Sequence, residues 1–352
     1  MRFEFIDRVS DGDILAKSIF SRDGKVLLRS GMKLTHGYIK KLKQLEVFYI
    51  YVKDERLEDI DVEDEKLNEI KLSAAKALGG VIRNIDNSSE VDLKTPVAIV
   101  EELMDYILNI GDVNKSLYDI KTFDNYTQVH SIDTGIMSLF MGINFNVPKS
   151  DLVDLGVAAI LHDIGKIKVG NEIINKKGAL TNEEFEKIKM HPIYGEEILS
   201  KNYNVSNRIL RIIREHHEKL NGKGYPFGLK GDEISKLSQI VSICDVYDAV
   251  SNDRIYRSKF SPNDAYELIL SEGDNSFSMD MINNFRKTFF VYPLGCCVKL
   301  SNYTEGYVIS QNSGYPDRPI IRVLYDSKSK KPIPFYEIDL LTNINLTVIG
   351  IV

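Results

Sequence analysis

Five of the six histidines in this 352-residue chain are His130, His162, His191, His216 and His217. Each sits in or near a stretch whose apolar residues recur at helical spacing. Acids accompany them: Asp163 directly follows His162, and Asp245 lies beyond the last, in Ile243-Cys244-Asp245-Val246-Tyr247-Asp248. Any one of these histidines alone reads as a satisfied core residue. Five together with two carboxylates, in one helical stretch, read better as a metal centre. The sixth, His36, falls at the start of a separate helical pattern and reads as a surface or helix-start residue.

Seven His and Asp ligands exceed what one four- to six-coordinate ion needs once substrate and water take their places, so the count predicts more than one ion. Neighbours on a helix point about 100° apart, from ~3.6 residues per turn, so His216 and His217 need not serve the same ion. Asp163 is the natural bridging carboxylate. Two ions roughly 3.5–4 Å apart clamp an in-line displacement at phosphorus and generate hydroxide near neutral pH. Mixed imidazole and carboxylate ligation favours iron or manganese, with zinc or nickel also compatible. In Leu161-His162-Asp163-Ile164-Gly165-Lys166, Lys166 lies three residues beyond the acid. That spacing puts it on nearly the same helical face, within reach of an anion on the metal.

The net charge of −6 argues against broad binding to a nucleic-acid polymer, which needs an extended basic surface. An anionic small molecule remains compatible, since metals and a few cations reverse the field locally. Cys244, Cys296 and Cys297 lack metal-site spacing and read as reduced thiols. The first residues lack the apolar core of a signal peptide, and no apolar run approaches the ~20 residues that span a bilayer. Together these predict a cytoplasmic protein without membrane insertion.

The chain divides into four stretches by pattern. Residues 1–55 read as a small α+β unit. It has a hairpin from Ile14–Phe20 to Val26-Leu27-Leu28 around Asp23-Gly24, a helix over Thr35–Leu45 and a strand over Val47–Val52. Residues 56–112 read as an acidic linker and helices, with Leu72, Ala75, Leu78 and Val81 as an apolar stripe. Packing of that stripe on its own chain is favoured over packing on a second subunit. Residues 113–290 are almost wholly helical in pattern. Thr181-Asn182-Glu183-Glu184 predicts a capping box, and Ser261-Pro262 a helix start. Between helices lies Asn221-Gly222-Lys223-Gly224-Tyr225-Pro226, whose glycines permit positive φ and close backbone approach. Residues 291–352 read as a short β-rich extension with strands at Val298–Leu300, Gly306–Ile309, Ile320–Tyr325 and Thr347–Ile349.

At these residues the chain resembles the HD phosphohydrolase superfamily. Beyond His130, His162-Asp163 and Asp245, the longer pattern is similar to the HD-GYP subfamily. It comprises His162-Asp163-Ile164-Gly165-Lys166, His191-Pro192, His216-His217, Gly224-Tyr225-Pro226, Asp245-Val246-Tyr247-Asp248-Ala249 and Asp253-Arg254-Ile255-Tyr256-Arg257. The match spans about 115–290. It implies an all-α, HD-type catalytic domain that opens cyclic di-GMP to linear pGpG or GMP. By the same resemblance His130, His162, Asp163, His191, His216, His217 and Asp245 are the metal ligands. Asp163 and Lys166 would carry catalysis. Lys166 would contact the scissile phosphate, Arg254 and Arg257 the substrate's phosphates or bases, and Tyr225 would lie near the cleft.

Some members of the subfamily bind a third metal through a glutamate one helical turn before the first histidine. Here that position is Tyr126, and a phenol is a poor ligand, so two metals are expected. The competing expectations are an HD hydrolase of another cyclic dinucleotide, such as cyclic GMP-AMP, and a catalytically silent sensor or scaffold. The intact ligand set argues against the latter. The N-terminal stretch carries no cofactor motif; regulation, homodimer formation or binding of a signalling partner are its expected roles.

Overall fold

The structure is a computed structural model. It describes residues 1–20, 26–45, 47, 49–60, 65–86, 93–110, 115–116, 127–176, 178–201, 205–252, 262–326, 328–329 and 331–352. The chain forms two compact units, and the first draws on both chain ends, Met1–Asp64 and Phe289–Val352.

In this first unit β1 (Arg2–Phe5), β2 (Ile19–Phe20) and β3 (Val26–Leu28) precede α1 (His36–Gln44) and β4 (Tyr49–Val52). β2 and β3 pair antiparallel, as the hairpin pattern predicts; the turn at Asp23-Gly24 lies outside the described residues. Thr35 caps α1 by accepting the Tyr38 N–H at 3.3 Å. β1 pairs antiparallel with β4, Arg2 opposite Val52. β5 (Lys115–Ser116) runs parallel to β6 (Phe289–Phe290). Then come β7 (Cys297–Leu300), β8 (Glu305–Asn312), β9 (Tyr315–Tyr325), β10 (Pro332–Asp339) and β11 (Val348–Ile351), forming one sheet in the order β10-β9-β8-β7-β11. The sequence pattern misses β10 because Pro332 and Pro334 interrupt it. A sheet-edge strand tolerates prolines, which lack the N–H a central strand must donate. Phe3, Ala16 and Tyr51 from the chain start pack with Val298, Leu300, Val308 and Ile321 in one apolar core. The two ends, separate stretches by sequence pattern, therefore close on each other.

The second unit is helical. Its elements are α2 (Glu65–Asp86), α3 (Lys94–Ile110), α4 (Thr127–Asn144), α5 (Lys149–Leu161), α6 (Asn171–Ile174), α7 (Asn182–Lys189), α8 (His191–Leu199) and α9 (Asn207–Glu215). α10 (Lys236–Asn252), α11 (Pro262–Ser271) and α12 (Met279–Thr288) complete it. α4, α5 and α10 are apolar on most faces, which makes them central helices. Phe140, Leu155 and Tyr247, one from each, are fully buried. The α2 stripe does pack on its own chain, but its buried face is Leu67, Ile70, Ala74, Leu78 and Val81. Leu72 and Ala75 are only half-buried, so the face is turned by about one residue from the expected one. Lys71 on the same face pairs with Asp133 of α4 at 3.7 Å, both buried. The capping box at Thr181 forms in both directions, Glu184 N–H to Thr181 and Thr181 N–H to Glu184. Among the described residues no helix is long and apolar enough to cross a membrane.

Candidate metal centre

Three of the histidines stand where helices end. A helix leaves its last carbonyls without intrahelical partners, and a histidine just past them can donate to one. His162 Nδ1 meets Ala159 O at 2.7 Å at the end of α5. His216 Nδ1 meets Ile213 O at 2.6 Å at the end of α9, and His191 Nδ1 meets Ile188 O at 2.7 Å just past α7. A carbonyl only accepts, so Nδ1 carries the proton in each ring and the lone pair sits on Nε2. One backbone rule thus aims three Nε2 atoms away from their helix ends.

The donors converge as two groups. Asp163, His191, His216 and His217 offer atoms within 4.8 Å of one another, and His130, His162 and Asp245 form a second such group. Both carboxylates face both groups. Asp163 Oδ1 lies 3.3 Å from His191 Nε2, while its Oδ2 lies 3.5 Å from His162 Nε2 and 3.8 Å from His130 Nε2. Asp245 Oδ1 lies 2.9 Å from His130 Nε2, and its Oδ2 lies 3.6 Å from His217 Nδ1. Sequence spacing singles out Asp163 as the spanning carboxylate; the structure adds Asp245.

The donor chemistry fits divalent ions. His191 Nε2 and His216 Nε2 are 3.2 Å apart, and both carry lone pairs because both Nδ1 atoms donate to carbonyls. Two acceptors at that distance repel unless a cation shares them. His162 Nε2 and Asp163 Oδ1 are buried without a hydrogen-bond partner, an arrangement that is costly unless a ligand compensates it. Burial holds His191 down to about 4 and His217 down to about 3, and burial with the neighbouring rings holds His216 well below its ordinary value, so these rings stay neutral donors. Burial would raise the Asp163 carboxyl, but Lys166 and the surrounding histidines hold it well below the usual range. His130 differs. Burial disfavours its charge, yet hydrogen bonds to Asp245 and Asp248 outweigh that and hold it well above its ordinary value. Carboxylates that favour a proton there favour any cation there.

These directions set a pH dependence. An unfolded histidine binds its proton near pH 6.5, whereas folded His191 resists it until about 4. Between those values the unfolded chain holds more protons, so stability falls as pH falls. The metal-free protein is expected to lose stability from pH 6.5 down to about 4, measured by urea unfolding. A flat profile across that window would contradict the buried neutral rings.

Lys166 stands in a 3₁₀ turn, Ile164–Lys168, and its Nζ donates to Asp163 Oδ2 at 2.6 Å. Its side chain keeps 29% exposure, so the ammonium is at the edge of the centre. Tyr225 packs its ring on His217, centroids 4.7 Å apart and planes 30° apart. The glycines beside it do both things their type allows. Gly222 takes a φ of +75°, and a Cβ on Gly224 would fall 2.5 Å from Glu218 Cα and 2.6 Å from the His217 carbonyl oxygen. Glu218, buried, accepts the N–H groups of Phe227 at 2.7 Å and Leu229 at 3.0 Å, pinning the loop to the end of α9.

Two working residues carry no distinct signal in the sequence. Asp248, three residues after Asp245 on α10, accepts from His130 Nδ1 at 2.6 Å and so orients that ring. Its hints are the i+3 spacing from Asp245 and its place in the Asp245–Ala249 stretch of the family pattern. Glu218 directly follows His216-His217 but reads as an ordinary surface acid. Tyr126, Arg254 and Arg257 lie outside the described residues.

Comparison with known proteins places the helical unit in a family. The HD domain family matches residues 124–281, and a KOW domain associated with HD domains matches residues 297–352. Over 280 residues the chain is 31% identical to a cyclic di-GMP phosphodiesterase of Pseudomonas aeruginosa, covering 79% of this chain and 67% of that protein. The chain belongs to the HD-GYP family. A Borreliella burgdorferi relative named cyclic di-GMP phosphodiesterase PdeB is 30% identical, over 57% of this HD-GYP chain and 52% of that protein. A 3'3'-cGAMP-specific phosphodiesterase of Vibrio cholerae is 37% identical over 42% of this chain and 32% of that one. The fold is shared with an HDGYP protein from Bdellovibrio bacteriovorus, at TM-score 0.52 and 16% identity, over 80% of this chain and 97% of that one.

Proposed function

We propose that this HD-GYP protein is a metal-dependent phosphodiesterase that opens cyclic di-GMP to linear pGpG, with GMP as a further product. The observation that carries the reading is the pair of donor groups spanned by Asp163 and Asp245. Divalent ions, iron or manganese by the mixed donor set with zinc or nickel also compatible, would supply Lewis-acid polarisation of the phosphate and activation of water.

The chain's own residues do the rest. His130, His162 and Asp245 would hold one ion and His191, His216 and His217 the other, with Asp163 facing both donor groups. Lys166 presents a preorganised cation to the scissile phosphate, where charge builds in the transition state. Arg254 and Arg257 bind the substrate's phosphates or bases, and Tyr225 closes the cleft beside His217. Catalysis belongs to residues 113–290. Residues 1–55 and 291–352 act as accessory units, with 56–112 leading into the catalytic helices. The α+β unit at the chain start would take a signalling partner or dimer contacts, and a cytoplasmic location fits this substrate.

His191→Ala or His217→Ala is expected to lower bound metal and turnover together, because ligands act as a unit. Unchanged metal content in both variants would contradict the ligand assignment. The reading itself is tested by incubating manganese- or iron(II)-loaded protein, without oxygen, with cyclic di-GMP and in parallel with 3'3'-cGAMP, the substrate named for the Vibrio relative. Chromatography should show linear pGpG formed faster than the cGAMP product. No turnover of cyclic di-GMP with either metal would overturn it.

A further inference from the structure

A cavity of about 210 Å³ adjoins the metal centre, with His217 in its wall. It is smaller than the ~300–1,000 Å³ pockets that enclose a drug-sized molecule, so it suits one ring system rather than a whole dinucleotide. Val246, Leu268, Ile269 and Phe277 give it apolar sides, and Glu272 and Lys219 set opposite charges into its rim. We infer that this cavity receives one guanine base of the cyclic dinucleotide and that Glu272 reads its hydrogen-bonding edge. The inference rests on the phosphodiesterase reading above.

The chemistry selects guanine over adenine. An ionised carboxylate only accepts hydrogen bonds. Guanine offers it two donors side by side, N1–H and the exocyclic amine, whereas adenine presents a ring acceptor at the first position. Lys219, a donor, suits the O6 and N7 acceptors of guanine. The apolar side chains of Val246, Leu268, Ile269 and Phe277 can cover the faces of a purine.

Glu272 is also held in place. Ser276 Oγ donates to its Oε2 at 2.6 Å and Asn275 Nδ2 to the same oxygen at 2.9 Å. Both bonds fall on one oxygen and leave acceptor capacity on the other. Asn275 in turn accepts from Asn221 Nδ2 at 2.6 Å, and the Asn221 N–H donates to the Asn275 carbonyl at 3.1 Å. Asn221 opens the Gly-rich loop that carries Tyr225. The cavity wall and the loop that packs on His217 are therefore one hydrogen-bonded assembly.

Calorimetric binding of the hydrolysis-resistant phosphorothioate analogues of cyclic di-GMP and cyclic di-AMP to the metal-loaded full chain tests this, with Glu272→Gln and Leu268→Trp as variants. The wild type should prefer the guanine ligand by tenfold or more. Glu272→Gln should weaken cyclic di-GMP by about 10- to 100-fold, the range of a good bidentate base contact, and leave cyclic di-AMP within about twofold. Leu268→Trp, which fills the cavity, should weaken both. Metal content measured on each variant should equal that of the wild type. A guanine-to-adenine ratio unmoved by Glu272→Gln, or tight binding retained in Leu268→Trp, would overturn the assignment while leaving the phosphodiesterase reading standing. A wild type that binds neither dinucleotide would overturn both.

Discussion

Asp163→Asn is expected to abolish turnover and to strip bound metal, because one carboxylate serves both donor groups. Its Oδ1 faces His191 and its Oδ2 faces His162 and His130. The asparagine keeps the shape but loses the charge, and with it the partner of the Lys166 ammonium, 2.6 Å away. An activity loss of about 10³-fold or more is expected, which at ~1.36 kcal/mol per tenfold is ~4 kcal/mol of transition-state stabilisation. The stability of the metal-free protein should fall as well. Removing the carboxylate leaves a largely buried ammonium unpaired, a loss that costs about 3–5 kcal/mol where the pair is fully buried and less here, since Lys166 keeps 29% exposure. Turnover, metal content and urea unfolding of the same preparation separate the three effects. Full metal content in Asp163→Asn would show that the carboxylate bridges nothing.

Gly165→Ala is expected to be the most destabilising single-methyl change in the helical unit. Gly165 follows the His-Asp pair, and a Cβ there would overlap the carbonyl oxygen of His191 and stand 2.5 Å from the amide nitrogen of Gly195. Its φ is not in the left-handed region, so space alone demands the glycine. Both obstacles are backbone, which cannot rotate away as a side-chain tip can. The 3₁₀ turn carrying Lys166 would have to part from α8, carrying His191 with it. A loss of roughly 4 kcal/mol or more is expected, in the range reserved for specific structural damage. That is a large share of the ~5–15 kcal/mol that holds a typical domain folded. Urea unfolding measures it; a change below about 1 kcal/mol would mean the backbone contact is not as close as described.

The candidate donor set is readable from sequence because metal chemistry restricts residue type so tightly. His162-Asp163, His191 and His216-His217 stand out even before their helices are placed. What orients them is harder to read. The Nδ1 contacts to Ala159, Ile188 and Ile213 use backbone carbonyls, which every residue has, so only the helix ends reveal them. Asp248 and Glu218 are common acids whose roles depend on which groups the fold brings near. The hairpin, α1 and the capping box follow from local pattern. The shared core of the chain ends does not, because Phe3 and Val298 meet across almost the whole sequence. β10 is hidden by its prolines, and the α2 face was displaced by one residue because Lys71 faces inward to meet Asp133.

Metal analysis of the purified chain, combined with hydrolysis of cyclic di-GMP by the same preparation, tests the central claim most directly. The expected result is two ions per chain and accumulation of linear pGpG, with both lost in Asp163→Asn. A chain that carries two iron or manganese ions, handled without oxygen, yet leaves cyclic di-GMP intact would contradict it.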